Sequence, residues 1–164
     1  MDDLGYSQVK PGTFMDPLLL RAYAKREWAL AASFGYRSLA GKTYVAPHYF
    51  ITDLASIPWL AEPFFDSTEH REAGVIHDWI YCSQALPRDE ADDLFEEMLK
   101  VLGATPTRAS AARLGLRIGS APRYSACKGG LKVEDLAFEL MSAEEASIWK
   151  LHLNIITKEE KLNR

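Results

Sequence analysis

The sequence predicts an α+β fold, in which a short N-terminal β-hairpin or small antiparallel sheet precedes a helical hairpin and two further helices. Aromatic and β-branched residues are frequent in residues 27–53, whereas apolar residues recur at helical spacing from about residue 67 onward. At 164 residues the chain fits a single domain. We divide it into a β-rich part at 1–65, a helical core at 66–125 and a C-terminal helical extension at 126–164.

The N-terminal part contains two predicted strands. The segments EWALAASFGYRS, residues 27–38, and KTYVAPHYFITD, residues 42–53, are separated by LAGK, which supplies a turn glycine. This pattern is typical of a β-hairpin. Pro47 cannot donate a ladder hydrogen bond, so it indicates an edge or a bulge in the second strand. Residues 16–28 fit either the start of a short helix or a lead into a strand.

Capping patterns and periodicity predict four helices after the strands. The sequence DSTE at 66–69 reads as a capping box, and Ser142 with Glu145 forms a second one. Pro87 and an acidic first turn mark the start of the second helix, and Pro106 lies near the first turn of the third. The four helices are predicted at about residues 67–84, 87–103, 105–124 and 142–163.

Charge and cysteine content narrow the function classes. A formal net charge of -4 argues against a nucleic-acid partner, because such proteins are usually basic. Cys82 and Cys127 are too few for a disulfide framework and are expected to be reduced thiols. The first residues lack a signal-peptide pattern, and no apolar run approaches the ~20 residues of a membrane span. We therefore expect synthesis in a cytoplasm and no transmembrane segment.

The first predicted helix carries a histidine and a tyrosine inside an apolar sequence. Ala73, Ile76 and Ile80 form the apolar stripe of this helix, and His77 and Tyr81 lie one turn apart on its flank. We expect both polar side chains to be at least partly buried, on a face that meets another element.

The second helix supplies a carboxylate at the matching level. A short loop joins the two helices, which predicts an antiparallel pair. Reflection about the middle of the loop puts Asp92 opposite His77 and Arg88 opposite Tyr81, whereas Asp93 points away. A carboxylate bonded to one imidazole nitrogen leaves the other as a base. The alternative is structural: His77, Tyr81 and Asp92 only form hydrogen bonds with one another inside the helical hairpin.

Two other catalytic interpretations remain open. A serine triad would use Ser56, His77 and Asp92, although LASIP lacks the G-x-S-x-G elbow. In that loop, Asp53 and Ser56 are also typical turn-capping residues.

A zinc site would combine His77 and Asp78 with His48 or His70. No H-x-x-x-H or C-x-x-C spacing supports such a site. We expect His70, in the first turn of its helix, to be exposed.

Three motifs in order resemble a bacteriophage and prophage family catalogued as a domain of unknown function. The motifs are T-D-x-A-S-I-P, A-x-x-x-H-D-x-x-Y and R-x-x-A-D, and they extend over about residues 40–120. The resemblance implies a phage-associated protein, made in the host cytoplasm and in some cases incorporated into the virion. The matching residues are Thr52, Asp53, Ala55, Ser56, Ile57, Pro58, Ala73, His77, Asp78, Tyr81, Arg88, Ala91 and Asp92.

The H-D-x-x-Y helix followed by an aspartate is also similar to the core of calcium-dependent phospholipases of the A-two class, including the parvoviral type. The similarity implies that His77 is the general base for a water molecule and that Asp78 binds calcium. It further implies that Asp92 and Tyr81 orient the histidine. The glycine-rich calcium loop of those enzymes is absent here, and Asp53 is the candidate ligand in the segment that stands in its place.

Two functions follow as hypotheses. The first is a lipid or ester hydrolase that acts on the host envelope. The second is a virion component of the tail, tail tip or neck, in which the histidine network is structural. The helix at 142–163 distributes apolar residues over more than one face, so we expect it to contact other phage proteins. The alternative is that all of this apolar surface packs into the core of the domain.

Overall fold

The computed structural model describes residues 8–54 and 70–162, with side chains as far as residue 153. Within these ranges two small antiparallel sheets precede a set of helices, which confirms the predicted α+β fold. The strands are β1 (Thr13–Met15), β2 (Leu20–Ala24), β3 (Glu27–Leu30), β4 (Phe34–Arg37), β5 (Thr43–Ala46) and β6 (Ile51–Thr52). The helices are α1 (Arg71–Ser83), α2 (Arg88–Val101), α3 (Pro106–Gly119), α4 (Ala121–Ala126) and α5 (Ala143–Leu162).

The predicted two-stranded hairpin is wrong in detail, because each predicted strand is divided between two sheets. One sheet has the order β1-β4-β5 and the other β2-β3-β6. The hairpin itself is present as β4 and β5, in which Phe34 pairs with Ala46. Pro47 ends β5 rather than forming an edge or a bulge, and Tyr49 has a left-handed φ of 72°. The second predicted strand therefore cannot continue straight and is divided into β5 and β6. The first predicted strand is divided in the same way into β3 and β4.

The segment before the hairpin, residues 16–28, forms strand rather than helix. Leu20–Ala24 pairs with Glu27–Leu30 across a tight turn at which Arg26 has a positive φ of 64°. The Ala31 amide then donates to the Leu19 carbonyl, which extends the pairing of β2 with β3 by one hydrogen bond before the chain crosses to the other sheet.

The helices agree with the sequence predictions except at one break. The third helix was predicted to continue to residue 124, but it ends at Gly119, and a separate helix, α4, follows Ser120. Pro122 is the reason, because it has no amide proton to donate and restricts the residue before it. At α5, Ser142 and Glu145 form the predicted capping box, with bonds of 2.8 and 3.2 Å. The predicted capping box at 66–69 lies outside the described residues.

The core lies between the two sheets and the α1–α2 pair. The predicted stripe of Ala73, Ile76 and Ile80 is fully buried. Each large apolar side chain buried in this way contributes roughly 1.5–3 kcal/mol. The largest core side chains include Tyr36, Phe34, Phe50, Phe95, Leu30, Met98, Leu99 and Leu116. Among the described helices, none has the length and apolarity that a bilayer span requires.

Candidate functional site: a buried histidine–aspartate network

His77 and Asp92 meet across the interface of α1 and α2. The His77 Nε2 atom lies 3.1 Å from Asp92 Oδ1. His77 is 5% exposed and Asp92 is fully buried, so water does not compete strongly for this bond. The carboxylate accepts from Nε2–H, and this leaves Nδ1 with the basic lone pair. The antiparallel pairing inferred from the short loop thus brings the two side chains into contact.

Tyr81 binds the same carboxylate oxygen. Its hydroxyl lies 2.5 Å from Asp92 Oδ1, and its ring centroid is 4.1 Å from that of His77. Burial raises the pKa of the Tyr81 phenol, and the hydrogen bond to Asp92 raises it further. Tyr81 therefore stays protonated and acts as a donor. Two donors converge on one oxygen, whereas Asp92 Oδ2 has no hydrogen-bond partner among the described residues.

Ser120 extends the network and was not among the residues predicted from the sequence. Its Oγ lies 2.8 Å from the Tyr81 hydroxyl, and the residue is 1% exposed. Because the single phenolic proton goes to Asp92, Ser120 donates to Tyr81. The sequence feature that could have pointed to Ser120 is SAP at 120–122, because a serine followed by a proline two positions later is typical of the start of a new helix. A serine between two helices is a capping residue by pattern, and only the packing of that break against α1 brings it to Tyr81.

The apolar environment of the network holds its geometry. The Phe95 ring packs 4.9 Å from the His77 ring, and Phe95 is fully buried. The Tyr124 ring contacts the edge of Tyr81 at 5.1 Å. Hydrogen bonds are strong in such a low-dielectric setting, so the orientation of His77 is fixed.

Asp78 lies on the other side of α1 and takes part in a separate contact. The Thr52 hydroxyl donates to Asp78 Oδ2 at 2.6 Å, and the Leu54 amide donates to Thr52. Burial raises the pKa of Asp78 to about 6, and the nearby charge of Asp53 raises it as well, partly offset by the Thr52 hydrogen bond. Adjacent residues of the H-D motif therefore belong to different clusters.

The other predicted site residues are placed as follows. Arg88 donates to the Arg117 carbonyl at 3.3 Å, and its charge only partly offsets the rise that burial and Asp92 cause in the Tyr81 pKa. Asp53 follows β6 and lies close enough to Asp78 to act on its charge. Ser56 lies outside the described residues, so the serine triad stays a prediction.

The histidines proposed for a zinc site do not gather. His48 stacks on Tyr49 with ring centroids 3.5 Å apart. His70 is 2% exposed, so its expected exposure is wrong; it is the N-cap residue of α1 and lies just before the first helical turn in which exposure was expected. In the described ranges, no three His, Cys, Asp or Glu side chains form a metal-binding group.

Fold and site together define an α+β protein with a buried His–Asp–Tyr network between two antiparallel helices. The chain belongs to the family described as protein of unknown function DUF1353, whose profile matches residues 28–115, more than half of the chain. The match includes α1 and α2 and therefore the His77–Asp92 pair, whereas Ser120 follows it. No curated protein and no solved structure matches the chain.

Proposed function

We propose that this protein is a phage-associated hydrolase of lipid or other carboxylic esters, in which His77 is the general base. The observation that carries the proposal is the 3.1 Å contact between His77 Nε2 and Asp92 Oδ1. A carboxylate on one ring nitrogen sets the tautomer and stabilises the imidazolium that forms when the other nitrogen takes a proton. Apolar side chains alone can hold two helices together, so a buried histidine–aspartate pair at this interface supports a chemical role.

The reaction needs one water molecule and one ester. Nδ1 of His77 removes a proton from water while the oxygen attacks the ester carbonyl carbon. The imidazolium then returns this proton to the departing alkoxide, which yields an acid and an alcohol. Asp92 keeps its charge throughout and stabilises the cationic histidine.

Tyr81 and Ser120 act in this proposal as positioning residues. The hydrogen bond from Tyr81 at 2.5 Å and the bond from Ser120 to Tyr81 hold Asp92 in line with the imidazole. Near-attack geometry of this kind is sensitive to shifts well below the length of a bond. Loss of either hydroxyl is therefore expected to lower kcat more than it changes KM.

The described residues do not make a calcium site around Asp78. One carboxylate oxygen of Asp78 already accepts from Thr52, and the described part of the chain has no group of three ligating side chains. Calcium usually takes six to eight oxygen ligands. The proposed steps therefore use only residues of the chain and water, and calcium enters as an arm of the experiment.

Hydrolysis of phospholipid vesicles and of soluble short-chain esters tests the proposal, with calcium and with a chelator. The His77→Gln variant is expected to lose the activity while its far-ultraviolet circular dichroism is unchanged. His48→Gln is the matched control, because His48 stacks on Tyr49 away from the network. Absence of wild-type activity on every ester in both conditions, or full activity in His77→Gln, overturns the proposal.

The second candidate is a virion component of the tail, tail tip or neck, in which the network is structural. Two observations favour it: His77 is only 5% exposed, and α5 presents Ile148 and Leu151 to solvent at 62% and 64%. The opposite face of α5 packs Trp149 and Leu153 on the core, so one apolar face is left for another phage protein. Mass spectrometry of purified virions tests this candidate, and absence of the protein from particles contradicts it.

A further inference from the structure

The two cysteines of the chain lie side by side, although 45 positions separate them. Cys82 is in the last turn of α1, and Cys127 follows the last residue of α4. Their Sγ atoms are 3.8 Å apart and share a hydrogen bond, and both thiols are free. This pair belongs to neither the His77 network nor the core stripe of α1.

A cation accompanies the pair. The Arg123 Nη2 atom lies 3.8 Å from Cys82 Sγ, and Arg123 precedes Cys127 by one helical turn. The hydrogen bond from Cys82 lowers the pKa of Cys127 to about 7. Burial opposes this shift by raising the pKa, whereas the Arg123 charge lowers the pKa further. The Cys82 pKa is raised by its bond with Cys127 and by burial. Cys127 is thus the thiol that ionises first.

We propose that Cys127 and Cys82 form a redox-reactive dithiol site whose substrate is a small hydroperoxide. The Cys127 thiolate attacks one peroxide oxygen, the O–O bond breaks, and the products are a sulfenic acid on Cys127 and hydroxide, which takes up a proton. The Cys82 sulfur then attacks the Cys127 sulfur, and water leaves with the sulfenic oxygen. In sum, two thiols and one hydrogen peroxide give one disulfide and two waters.

Burial selects the size of the oxidant. Cys127 is 5% exposed and Cys82 is 1% exposed. We assign a small hydroperoxide as the oxidant rather than glutathione disulfide, because glutathione disulfide would have to bring a peptide-sized group against a covered sulfur. The thiol that completes the reaction is already at 3.8 Å, so cross-linking is expected to outpace further oxidation of Cys127.

Bond formation has to bring the two sulfurs to about 2.05 Å. The segment that carries Cys127 is the one that moves, because α4 has six residues and is followed by Gly129 and Gly130, both at positive φ. Cys82 belongs to a thirteen-residue helix packed on the core. The disulfide would therefore tie the α4 end of the chain to α1.

Intact-mass and non-reducing peptide analysis after treatment with millimolar hydrogen peroxide tests the site. We expect a loss of two hydrogens from the monomer, a peptide pair joined through Cys82 and Cys127, and full reversal by dithiothreitol. An increase of two or three oxygens on Cys127 without a cross-link, a dimer linked between chains, or no reaction overturns the proposal.

Two single variants separate the roles of the thiols. Cys82→Ser is expected to retain a sulfenic acid on Cys127 that dimedone traps, whereas Cys127→Ser is expected to keep Cys82 reduced at the same peroxide dose. Equal peroxide reactivity of the two variants contradicts the assignment of Cys127 as the nucleophile. The wild-type mass analysis decides the cross-link even if a variant fails to fold.

Discussion

The Nε2 atom of His77 lies 3.1 Å from Oδ1 of Asp92, across the interface of two helices that follow one another in the chain. Tyr81 donates to the same oxygen at 2.5 Å. The three side chains thus form one unit in which the carboxylate accepts both bonds. Removal of that carboxylate would leave two buried donors without an acceptor.

The first prediction concerns the tautomer of His77. Because Asp92 accepts from Nε2, neutral His77 should carry its proton on Nε2 and show an unprotonated Nδ1. Long-range proton–nitrogen correlation spectra of labelled protein measure this. In Asp92→Ala the preference should disappear, and a wild-type histidine protonated on Nδ1 would contradict the base assignment.

The second prediction concerns the stability of the buried carboxylate. Asp92→Ala leaves the donors of His77 and Tyr81 buried without their acceptor, so it should lower the free energy of unfolding by about 3–5 kcal/mol. The adjacent Asp93 is half-exposed and pairs with Arg113 at the surface, so Asp93→Ala should cost less than about 1 kcal/mol. Urea denaturation measures both, and equal losses would contradict the central role of Asp92.

The third prediction is a pH dependence at Asp78. Burial raises its folded-state pKa from 3.8 to about 6. The native state therefore binds this proton more tightly than the unfolded chain, so ionised Asp78 destabilises the protein above about pH 6, and this cost disappears as the pH falls toward about 4. Relative to Asp78→Asn, the wild type should gain about 2–3 kcal/mol over that range.

Urea denaturation of both proteins at several pH values measures the gain. The Thr52 hydroxyl donates to Asp78 and thereby lowers the pKa of that carboxyl. Because Thr52→Val removes this hydroxyl, the Asp78 pKa should rise further, and the loss of stability should begin at a higher pH. A difference between wild type and Asp78→Asn that does not change with pH would rule out the raised pKa.

The fourth prediction concerns the start of α5. Ser142 Oγ accepts from the Glu145 amide, so Ser142→Ala should cost about 0.5–2 kcal/mol and weaken amide protection in the first turn. Ser147, whose hydroxyl bonds back to the Ala143 carbonyl within the helix, is the matched control. Ser147→Ala should leave stability within about 0.5 kcal/mol, since alanine favours helix. Hydrogen exchange by mass spectrometry distinguishes the two.

Contacts between elements that are neighbours in the chain can be predicted from the amino-acid sequence. His77, Tyr81 and Asp92 lie on two helices joined by a short loop, so helical periodicity and antiparallel packing suffice to bring them together. The capping box of Ser142 and Glu145 is local for the same reason. Contacts that join distant segments could not be found in this way: the bond of Thr52 to Asp78 and that of Ser120 to Tyr81 depend on how sheets and helices pack.

Periodicity and short connections were therefore enough to predict the α+β class, the positions of the helices apart from the break between α3 and α4, and the pairing of His77 with Asp92. Three features needed the packing of the whole chain: the assignment of the strand segments to two different sheets, the burial of His70, and the contact of Cys82 with Cys127. Each of these depends on segments far apart in the chain, and no local pattern encodes where such segments come into contact.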